Sequence, residues 1–235
     1  MSTIKIFQKG FNFSQDGPGN RLVYHLSGCN YRCMWCSNPE GMTQEYFEEV
    51  EVDEIVKECI SCSPMFFSGG GVTFTGGEAT LQFDALLELL KKLKENNINT
   101  ALETNGSHKE LYKLVPHIDN LIMDFKHFDT NKHKTWIGKG NEEVITNFIF
   151  FAEKKIEMLI RIPLINGFNV EPNGFIDFFK KYDTSKMRFE ILTYHEYGKE
   201  KWKEPYLIKD GFVPKKDFQL FEKTFVENGL KIIHT

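Results

Sequence analysis

The sequence lacks the features that mark membrane, secreted and nucleic-acid-binding proteins. No run approaches the roughly 18 apolar residues of a transmembrane helix, and the first residues carry no long apolar stretch of the signal-peptide kind. Lysine and arginine form no block, and 33 acidic side chains outnumber 29 basic ones, for a net charge of −4. This balance argues against binding nucleic acid by neutralising phosphates. We therefore expect a soluble, cytoplasmic protein that binds neither membrane nor nucleic acid.

Linkers, internal repeats and low-complexity stretches are also absent from the 235 residues. Without a composition break there is no boundary at which to divide the chain, so we expect a single domain over residues 1–235. Hydrophobic residues make up 41% of the chain, which is enough for a packed core.

Predicted strands and helices alternate along the chain. Apolar runs predict strands at 22–26, 72–75, 100–103, 121–123, 158–162, 189–192 and 230–233, the fifth ending before Pro163. Helices are predicted at 52–58, 81–96 and 214–228. The second helix carries a leucine stripe at helical spacing and a stop signal at Asn96-Asn97. The alternation predicts an α/β fold built from βαβ units around parallel strands.

Polar motifs lie at the carboxyl ends of six predicted strands. They are the cysteine loop after residue 26, Gly76-Gly77-Glu78, Glu103-Thr104-Asn105-Gly106, Asp124-Phe125-Lys126, Arg161 and Tyr194-His195-Glu196. Barrels and open α/β sheets place their active sites at that edge. Six segments that are far apart in sequence would therefore meet at one active site.

Cysteine is scarce, with five residues, yet three of them lie within eight positions. Cys29, Cys33 and Cys36 have the spacing C-x3-C-x2-C. In a reducing compartment such clustering is more typical of metal binding or redox chemistry than of disulfides. Three thiolates can hold three irons of a cubane cluster and leave the fourth iron open to a substrate or cofactor. A zinc site completed by His25 and simple packing of the thiols are the alternatives.

Three further groups have both a functional and an ordinary interpretation. Glycines at 69–71 and 76–77 flank a predicted strand, where they either form turns or let the backbone approach the amino group of a small molecule. Asp124 and Lys126 lie on the same side of an extended segment, where they either form an ordinary ion pair or bind a polar cofactor. His195 follows a predicted strand, which places it near the active-site edge or in a structural role.

Together these motifs resemble one known family. The cysteine triplet, with Trp35 before its last member and Gly-Gly-Glu downstream, is similar to the radical S-adenosylmethionine superfamily. Four further segments are similar to the glycyl-radical-enzyme activating enzymes, of which pyruvate formate-lyase activating enzyme is the best-known member. They are residues 14–21, 36–40, 68–73 and 194–199. The resemblance runs from about residue 4 to the C-terminus.

The resemblance implies a partial (β/α)6 barrel with parallel strands and one 4Fe–4S cluster held by Cys29, Cys33 and Cys36. It also implies that the open iron binds S-adenosylmethionine. Contacts to this cofactor are expected from Trp35, Ser37, Gly76, Gly77, Glu78, Glu103, Asp124, Phe125, Lys126, Arg161 and His195. Glu103 and Asp124 are further expected to hold a monovalent cation.

The same resemblance implies an activity and its partners. Reductive cleavage of S-adenosylmethionine would yield a 5′-deoxyadenosyl radical, which abstracts hydrogen from a glycine of a partner glycyl-radical enzyme. Asp16, Gly17, Pro18 and Gly19 would seat the glycine loop of that partner. A flavodoxin or ferredoxin would supply the electron. We expect a monomer, because a large partner must dock at the active site, and inactivation by air, because an open iron is accessible to oxidants. The sequence does not identify the partner.

Three departures from the family pattern matter. Many relatives carry a cysteine-rich insert after the triplet, whereas the cysteines of residues 37–68 are only Cys59 and Cys62. We therefore expect one cluster and assign this pair no catalytic role. Glu103 stands where the best-known activator has Asp, and its longer side chain changes the expected cation site. Glu-Thr-Asn-Gly also occurs in the radical 7-carboxy-7-deazaguanine synthases, the first alternative function. The second is a non-enzymatic iron–sulfur electron carrier or zinc-stabilised binding module.

Overall fold

The computed structural model describes residues 2–45 and 47–235 and is built around an eight-stranded sheet. The strands are β1 (Thr3–Phe13), β2 (Asn20–Leu26), β3 (Glu48–Glu51), β4 (Gly71–Gly76), β5 (Thr100–Thr104), β6 (Asn120–Asp124), β7 (Met158–Leu164) and β8 (Met187–Thr193). The α-helices are α1 (Val52–Cys62), α2 (Phe83–Glu95), α3 (Thr130–Ile137), α4 (Glu142–Glu153), α5 (Pro172–Phe179) and α6 (Lys215–Glu227). No helix of these described residues has the length and apolar character to span a membrane.

The strands are ordered β3-β1-β2-β4-β5-β6-β7-β8 across the sheet. From β2 to β8 every neighbouring pair is parallel, whereas β1 pairs antiparallel with both β2 and β3 at one edge. Within the described residues β3 and β8 do not pair, so the sheet stays open. The six parallel strands and their helical connections confirm the expected partial (β/α)6 barrel.

Buried leucines and phenylalanines hold the helices against the sheet. On α2 the buried side chains Leu86, Leu89, Leu90 and Leu93 follow the i, i+3, i+4, i+7 spacing of one helical face. Farther along the sheet, phenylalanines of α4, α5, α6 and β8 form a continuous cluster of rings, for example Phe148, Phe175, Phe179, Phe189 and Phe225. Each such ring stabilises the fold by about 1.5–3 kcal/mol relative to an exposed one.

The predicted end of α2 is confirmed, and two strand predictions are wrong. α2 ends at Glu95, and Asn97 has a φ of 57°, which ends the helix. β7 continues through Pro163, whereas its pairing with β6 ends at Arg161. The backbone nitrogen of Pro163, which has no hydrogen to donate, therefore faces no strand on the β6 side, and the proline is tolerated. Residues 230–233 form only a single bridge between Ile232 and Phe189.

Two strands were not predicted, and both lie at the antiparallel edge. β1 buries only Ile4 and Ile6, and β3 has no fully buried residue. Neither strand therefore shows the apolar run by which the parallel strands are recognised.

Candidate active site

A cavity of about 330 Å³ opens at the carboxyl ends of the parallel strands. The predicted site residues that line it are Asp16, Cys29, Cys33, Trp35, Cys36, Ser37, Gly76, Gly77, Glu78, Glu103, Asp124, Lys126 and His195. Segments that follow β2, β4, β5, β6 and β8 therefore lie around one cavity. Arg161, Phe125, Gly17, Pro18 and Gly19 do not line it.

The cysteine loop follows β2 and is held by its backbone against the end of α3. The Arg32 N–H donates to the Ile137 carbonyl (2.8 Å), and the Met34 N–H donates to the Trp136 carbonyl (3.2 Å). Within the loop the Cys36 N–H donates to the Cys33 carbonyl (3.1 Å), which closes a tight turn between these two cysteines.

The three clustered thiols fit an iron–sulfur cluster by their number and surroundings. Burial raises the pKa of Cys29 and Cys33 to about 12 and that of Cys36 to about 11. Bound iron would favour the thiolates instead, because metal binding releases the thiol protons. Cys59 and Cys62 do not line the cavity, so three thiols face it and an iron without a protein thiolate would remain.

His25, which would complete a zinc site, lies within β2 and lines the same cavity. Its ring contacts Phe7 at 5.7 Å between centroids. Among residues 2–45 and 47–235 no three His, Cys, Asp or Glu side chains are grouped as a single-ion site.

The glycine loop after β4 lies against the start of the cysteine loop. A Cβ at Gly76 would lie 2.3 Å from the Leu26 nitrogen, and one at Gly77 would lie 2.2 Å from the Gly28 oxygen. The Glu78 N–H donates to the same Gly28 carbonyl (2.8 Å). Only glycine permits so close an approach of the two backbones.

The Glu78 side chain is buried and joins the glycine loop to the end of β5. Its carboxylate accepts hydrogen bonds from the Thr80 hydroxyl (2.5 Å), the Thr104 hydroxyl (2.7 Å) and the Asn105 N–H (2.7 Å). Burial raises the pKa of Glu78, while these hydrogen bonds act in the opposite direction. The Glu78 carbonyl also accepts a hydrogen bond from the Leu81 N–H (3.1 Å), so Glu78 is engaged within the protein, while Gly76 and Gly77 bring the backbone of the loop to the cavity.

Two asparagines that sequence reasoning did not single out connect the cysteine loop to the loop after β5. The Asn105 side-chain amide donates to Asn30 Oδ1 (3.0 Å), and the Asn30 amide donates to the Ser107 hydroxyl (2.7 Å). Both asparagines lie inside motifs that were recognised, but their mutual contact joins residues 75 positions apart. The local sequence carries no signal for such a pairing.

Asp124 and Lys126 supply a charged pair at the end of β6. The two side chains are in direct ion-pair contact, and Lys126 is 9% exposed. Although burial lowers it, the adjacent Asp124 carboxylate raises the pKa of Lys126 above its ordinary value. The ammonium group is therefore charged at neutral pH inside the cavity wall.

Arg161 joins three parts of the barrel behind the cavity. Its Nη1 lies 2.5 Å from Glu103 Oε1, its Nε lies 2.7 Å from Glu190 Oε2, and its Nη2 donates to the Gln15 carbonyl. Thr75 donates to the second oxygen of Glu103 (3.0 Å). Arg161 therefore neutralises the buried Glu190 and the partly buried Glu103, and it holds the loop at Gln15.

Phe125 points away from the cavity into the phenylalanine cluster. Its side chain is fully buried, with ring centroids 5.0 Å from both Phe178 and Phe179. The motif Asp124-Phe125-Lys126 thus alternates as an extended segment does, with the charged pair on one side and the apolar ring on the other.

The loop of residues 14–19 reaches the cavity through Asp16. The Thr73 hydroxyl donates to the Asp16 carbonyl (2.7 Å), and Arg21 donates to the Pro18 carbonyl (3.1 Å). Gly19 has a φ of 72°, and a Cβ there would lie 2.4 Å from the Gly70 nitrogen. These contacts attach the loop to β4 and to the residues just before it.

His195 borders the cavity just after β8. Burial lowers the pKa of His195, so the imidazole is neutral at pH 7. Its ring stacks on Tyr197, with centroids 4.3 Å apart.

The chain is similar to known proteins in both sequence and fold. The family model described as the radical SAM superfamily matches residues 23–179. A pyruvate formate-lyase-activating enzyme of Staphylococcus aureus (strain USA300) is 36% identical over 201 residues, which cover 80% of each chain. A crystal structure of a domain of pyruvate-formate lyase-activating enzyme from Bacteroides vulgatus ATCC 8482 covers 70% of this chain and 98% of its own, with a TM-score of 0.60 and 26% identity. Streptococcus suis SuiB bound to S-adenosylmethionine shares the fold, with a TM-score of 0.68 at 17% identity over 90% of this chain and 49% of its own.

Proposed function

The chain belongs to the radical S-adenosylmethionine superfamily, and from this premise we propose that it generates the glycyl radical of a partner enzyme. Membership of the superfamily implies a 4Fe–4S cluster and S-adenosylmethionine as cofactors. The observation that carries the proposal is the single cavity shared by three cysteine thiols, the Gly76–Glu78 backbone and the Asp124–Lys126 pair. The similarity to pyruvate formate-lyase-activating enzymes supports an activating role.

Different residues around the cavity bind the cluster and the separate parts of S-adenosylmethionine. When bound, the cluster supplies an electron that breaks the S–C5′ bond of S-adenosylmethionine. Cys29, Cys33 and Cys36 hold the cluster, and the carbonyls of residues 76–78 accept hydrogen bonds from the amino group of the cofactor. The charged Lys126, with Asp124, binds its polar methionine and ribose portions.

Other residues of the wall complete the cofactor site. We assign Trp35 and Ser37 to the adenine side and His195 to the nucleoside. Phe125 contributes through its backbone position alone, because its ring packs in the core. Arg161 acts indirectly, through its ion pair with Glu103. A monovalent cation at Glu103 and Asp124 stays a prediction, and both oxygens of Glu103 already have protein partners.

The open side of the barrel suits a protein substrate. A glycine loop must enter the cavity while the rest of a large enzyme stays outside, and an unclosed sheet leaves room for it. Asp16 stands in the cavity wall, with Gly17, Pro18 and Gly19 shaping the turn that presents it. A prepositioned loop lowers the entropy cost of binding. We propose that this loop contacts the peptide segment that carries the target glycine.

The protein would act in the cytoplasm as a monomer, in one domain spanning residues 1–235, with a flavodoxin or ferredoxin as the electron donor. The partner would be a glycyl-radical enzyme, with pyruvate formate-lyase the first to test because of the similarity reported above.

Lys126→Ala is expected to weaken S-adenosylmethionine binding at least about tenfold, because a charge-assisted hydrogen bond in a buried site contributes about 1.5–3 kcal/mol. Iron content should not change, since Lys126 is not a cluster ligand. Binding to the reconstituted protein is measured anaerobically by titration. Lys57→Ala, which removes an exposed lysine on α1, is the matched control. Normal binding by Lys126→Ala would refute the assigned role.

The proposal is tested by anaerobic reconstitution with iron and sulfide, reduction, and addition of S-adenosylmethionine. We expect 5′-deoxyadenosine and methionine, and a glycyl radical by electron paramagnetic resonance when pyruvate formate-lyase is added. Cofactor cleavage without a radical in any glycyl-radical enzyme, but with turnover of a pterin, would favour the deazaguanine synthase alternative. A cluster without cofactor cleavage would favour the electron carrier, and bound zinc would favour a binding module.

A further inference from the structure

Residues 194–206, which follow β8, cross over the loop that carries the third cluster cysteine. We call this segment the clasp. The Trp202 indole N–H donates to the carbonyl oxygen of Cys36 at 3.1 Å, although the two residues are 166 positions apart. The next residue of the cysteine loop, Ser37, lies against Gly198. The clasp therefore contacts Cys36, the proposed cluster ligand, and the residue that follows it.

The contact at Gly198 is between backbones. A Cβ at this position would lie 2.4 Å from the Ser37 oxygen, so a larger residue would push the two segments apart. Farther along, Lys201 pairs with Glu40 (2.7 Å) and Lys203 with Glu45 (2.7 Å). These exposed ion pairs contribute little, because water and salt screen them. The indole hydrogen bond and the glycine contact therefore dominate the attachment.

The Trp202 indole is held in place by neighbouring rings of the clasp. It packs edge-on against Tyr206, with centroids 5.6 Å apart, and the Tyr206 hydroxyl lies 2.8 Å from that of Tyr194. Tyr194 and His195 line the cavity. One segment thus connects the wall of the proposed cofactor site to the backbone of Cys36.

We propose that Trp202 is a positioning residue for Cys36, and that the clasp holds the third cysteine in its binding position before iron arrives. A loop that is ordered in advance loses less conformational entropy when the metal binds, so the cluster is retained longer. The inference rests on the proposed function only in taking Cys36 as a cluster ligand. The identity of the partner enzyme does not affect it.

Trp202→Phe tests the proposal, since it removes the N–H donor and keeps an aromatic ring. Loss of a net hydrogen bond of about 1 kcal/mol corresponds to roughly a fivefold effect. We expect iron to leave the reconstituted variant for a chelator about fivefold faster than it leaves the unmodified protein. In the metal-free protein we expect faster hydrogen exchange at the amides of residues 36–38 and 40.

Trp136→Phe is the matched control. Its ring lies 6.5 Å from Trp35, beside the same loop, and its indole donates to no group in the described part of the chain. The proposal would be overturned if Trp202→Phe released iron and exchanged amide hydrogens at the same rates as the unmodified protein. It would also be overturned if Trp136→Phe accelerated both processes as much as Trp202→Phe does. If circular dichroism shows that Trp202→Phe is unfolded, Gly198→Ala probes the same attachment. Hydrogen exchange needs no cluster, so failure to assemble one would count against the proposed function alone.

Discussion

Cys33→Ala is expected to lose the iron–sulfur cluster and to form 5′-deoxyadenosine only at background level. Cys33 is one of three thiols that face the cavity, and two thiolates cannot hold a cubane cluster that already lacks a fourth protein ligand. Iron and sulfide content, visible absorption and product formation are measured after anaerobic reconstitution. Cys29→Ala and Cys36→Ala should behave in the same way, because each would leave two thiols.

Cys59→Ala is the matched control for this loss. Cys59 is fully buried on α1 beside the Tyr24 hydroxyl and does not line the cavity. Its removal should cost about 1 kcal/mol of folding free energy, as for the loss of one buried group of methylene size, and should leave the cluster intact. Loss of the cluster in Cys59→Ala would show that the ligand assignment is wrong. A Cys33→Ala protein that still cleaves S-adenosylmethionine would show the same.

Arg161→Met is expected to lower the free energy of unfolding by about 3–5 kcal/mol, because it leaves the buried Glu190 and the partly buried Glu103 without their counter-charge. Both carboxylates lie within 2.7 Å of the guanidinium. Urea denaturation at pH 7 measures the loss. Arg188→Met, which removes an exposed arginine from β8, is the matched control and should change stability by no more than about 0.5 kcal/mol. A similar small change in Arg161→Met would contradict the role of this ion-pair network.

The deficit of Arg161→Met should shrink as the pH is lowered from 7 towards 5. Burial raises the pKa of Glu103 even with Arg161 present, and removal of the guanidinium would raise it further. A carboxyl group with a raised pKa binds more protons in the folded than in the unfolded protein. Its contribution to stability therefore falls as the pH rises above the unfolded pKa of about 4.3. A deficit that does not depend on pH would indicate lost packing in place of unpaired charge.

Local patterns in the sequence predicted the parallel part of the fold and the chemistry of the site. The leucine stripe of α2 and the buried strands are periodicities that neighbouring residues display by themselves. β1 escaped prediction because most of its side chains stay exposed at the antiparallel edge. The end of β7 was predicted wrongly at Pro163, because a strand tolerates proline only where the neighbouring strand does not extend alongside it. Whether β6 extends that far is not visible in any local sequence pattern.

Within the site, too, local motifs were predicted from the sequence and contacts between distant segments were not. The cysteine spacing, Gly76-Gly77-Glu78 and Asp124-Phe125-Lys126 were recognised because each motif is contiguous. The ion pair of Asp124 with Lys126 lies within one motif and was foreseen, whereas other side-chain partners were not, because they come from distant segments. Glu78 is engaged by Thr104 and Asn105, and Arg161 reaches back to the loop at Gln15.

By itself, the sequence determined the alternating α/β class, the cysteine triplet and the edge at which the polar motifs collect, because these follow from spacing along the chain. Only the tertiary structure decided that Phe125 turns into the core, that Arg161 is paired with Glu103 and Glu190, and that Trp202 contacts the carbonyl of Cys36. The physical reason is that hydrogen bonds and ion pairs depend on distance in space. Packing of the whole chain brings these groups together, and no short segment encodes it.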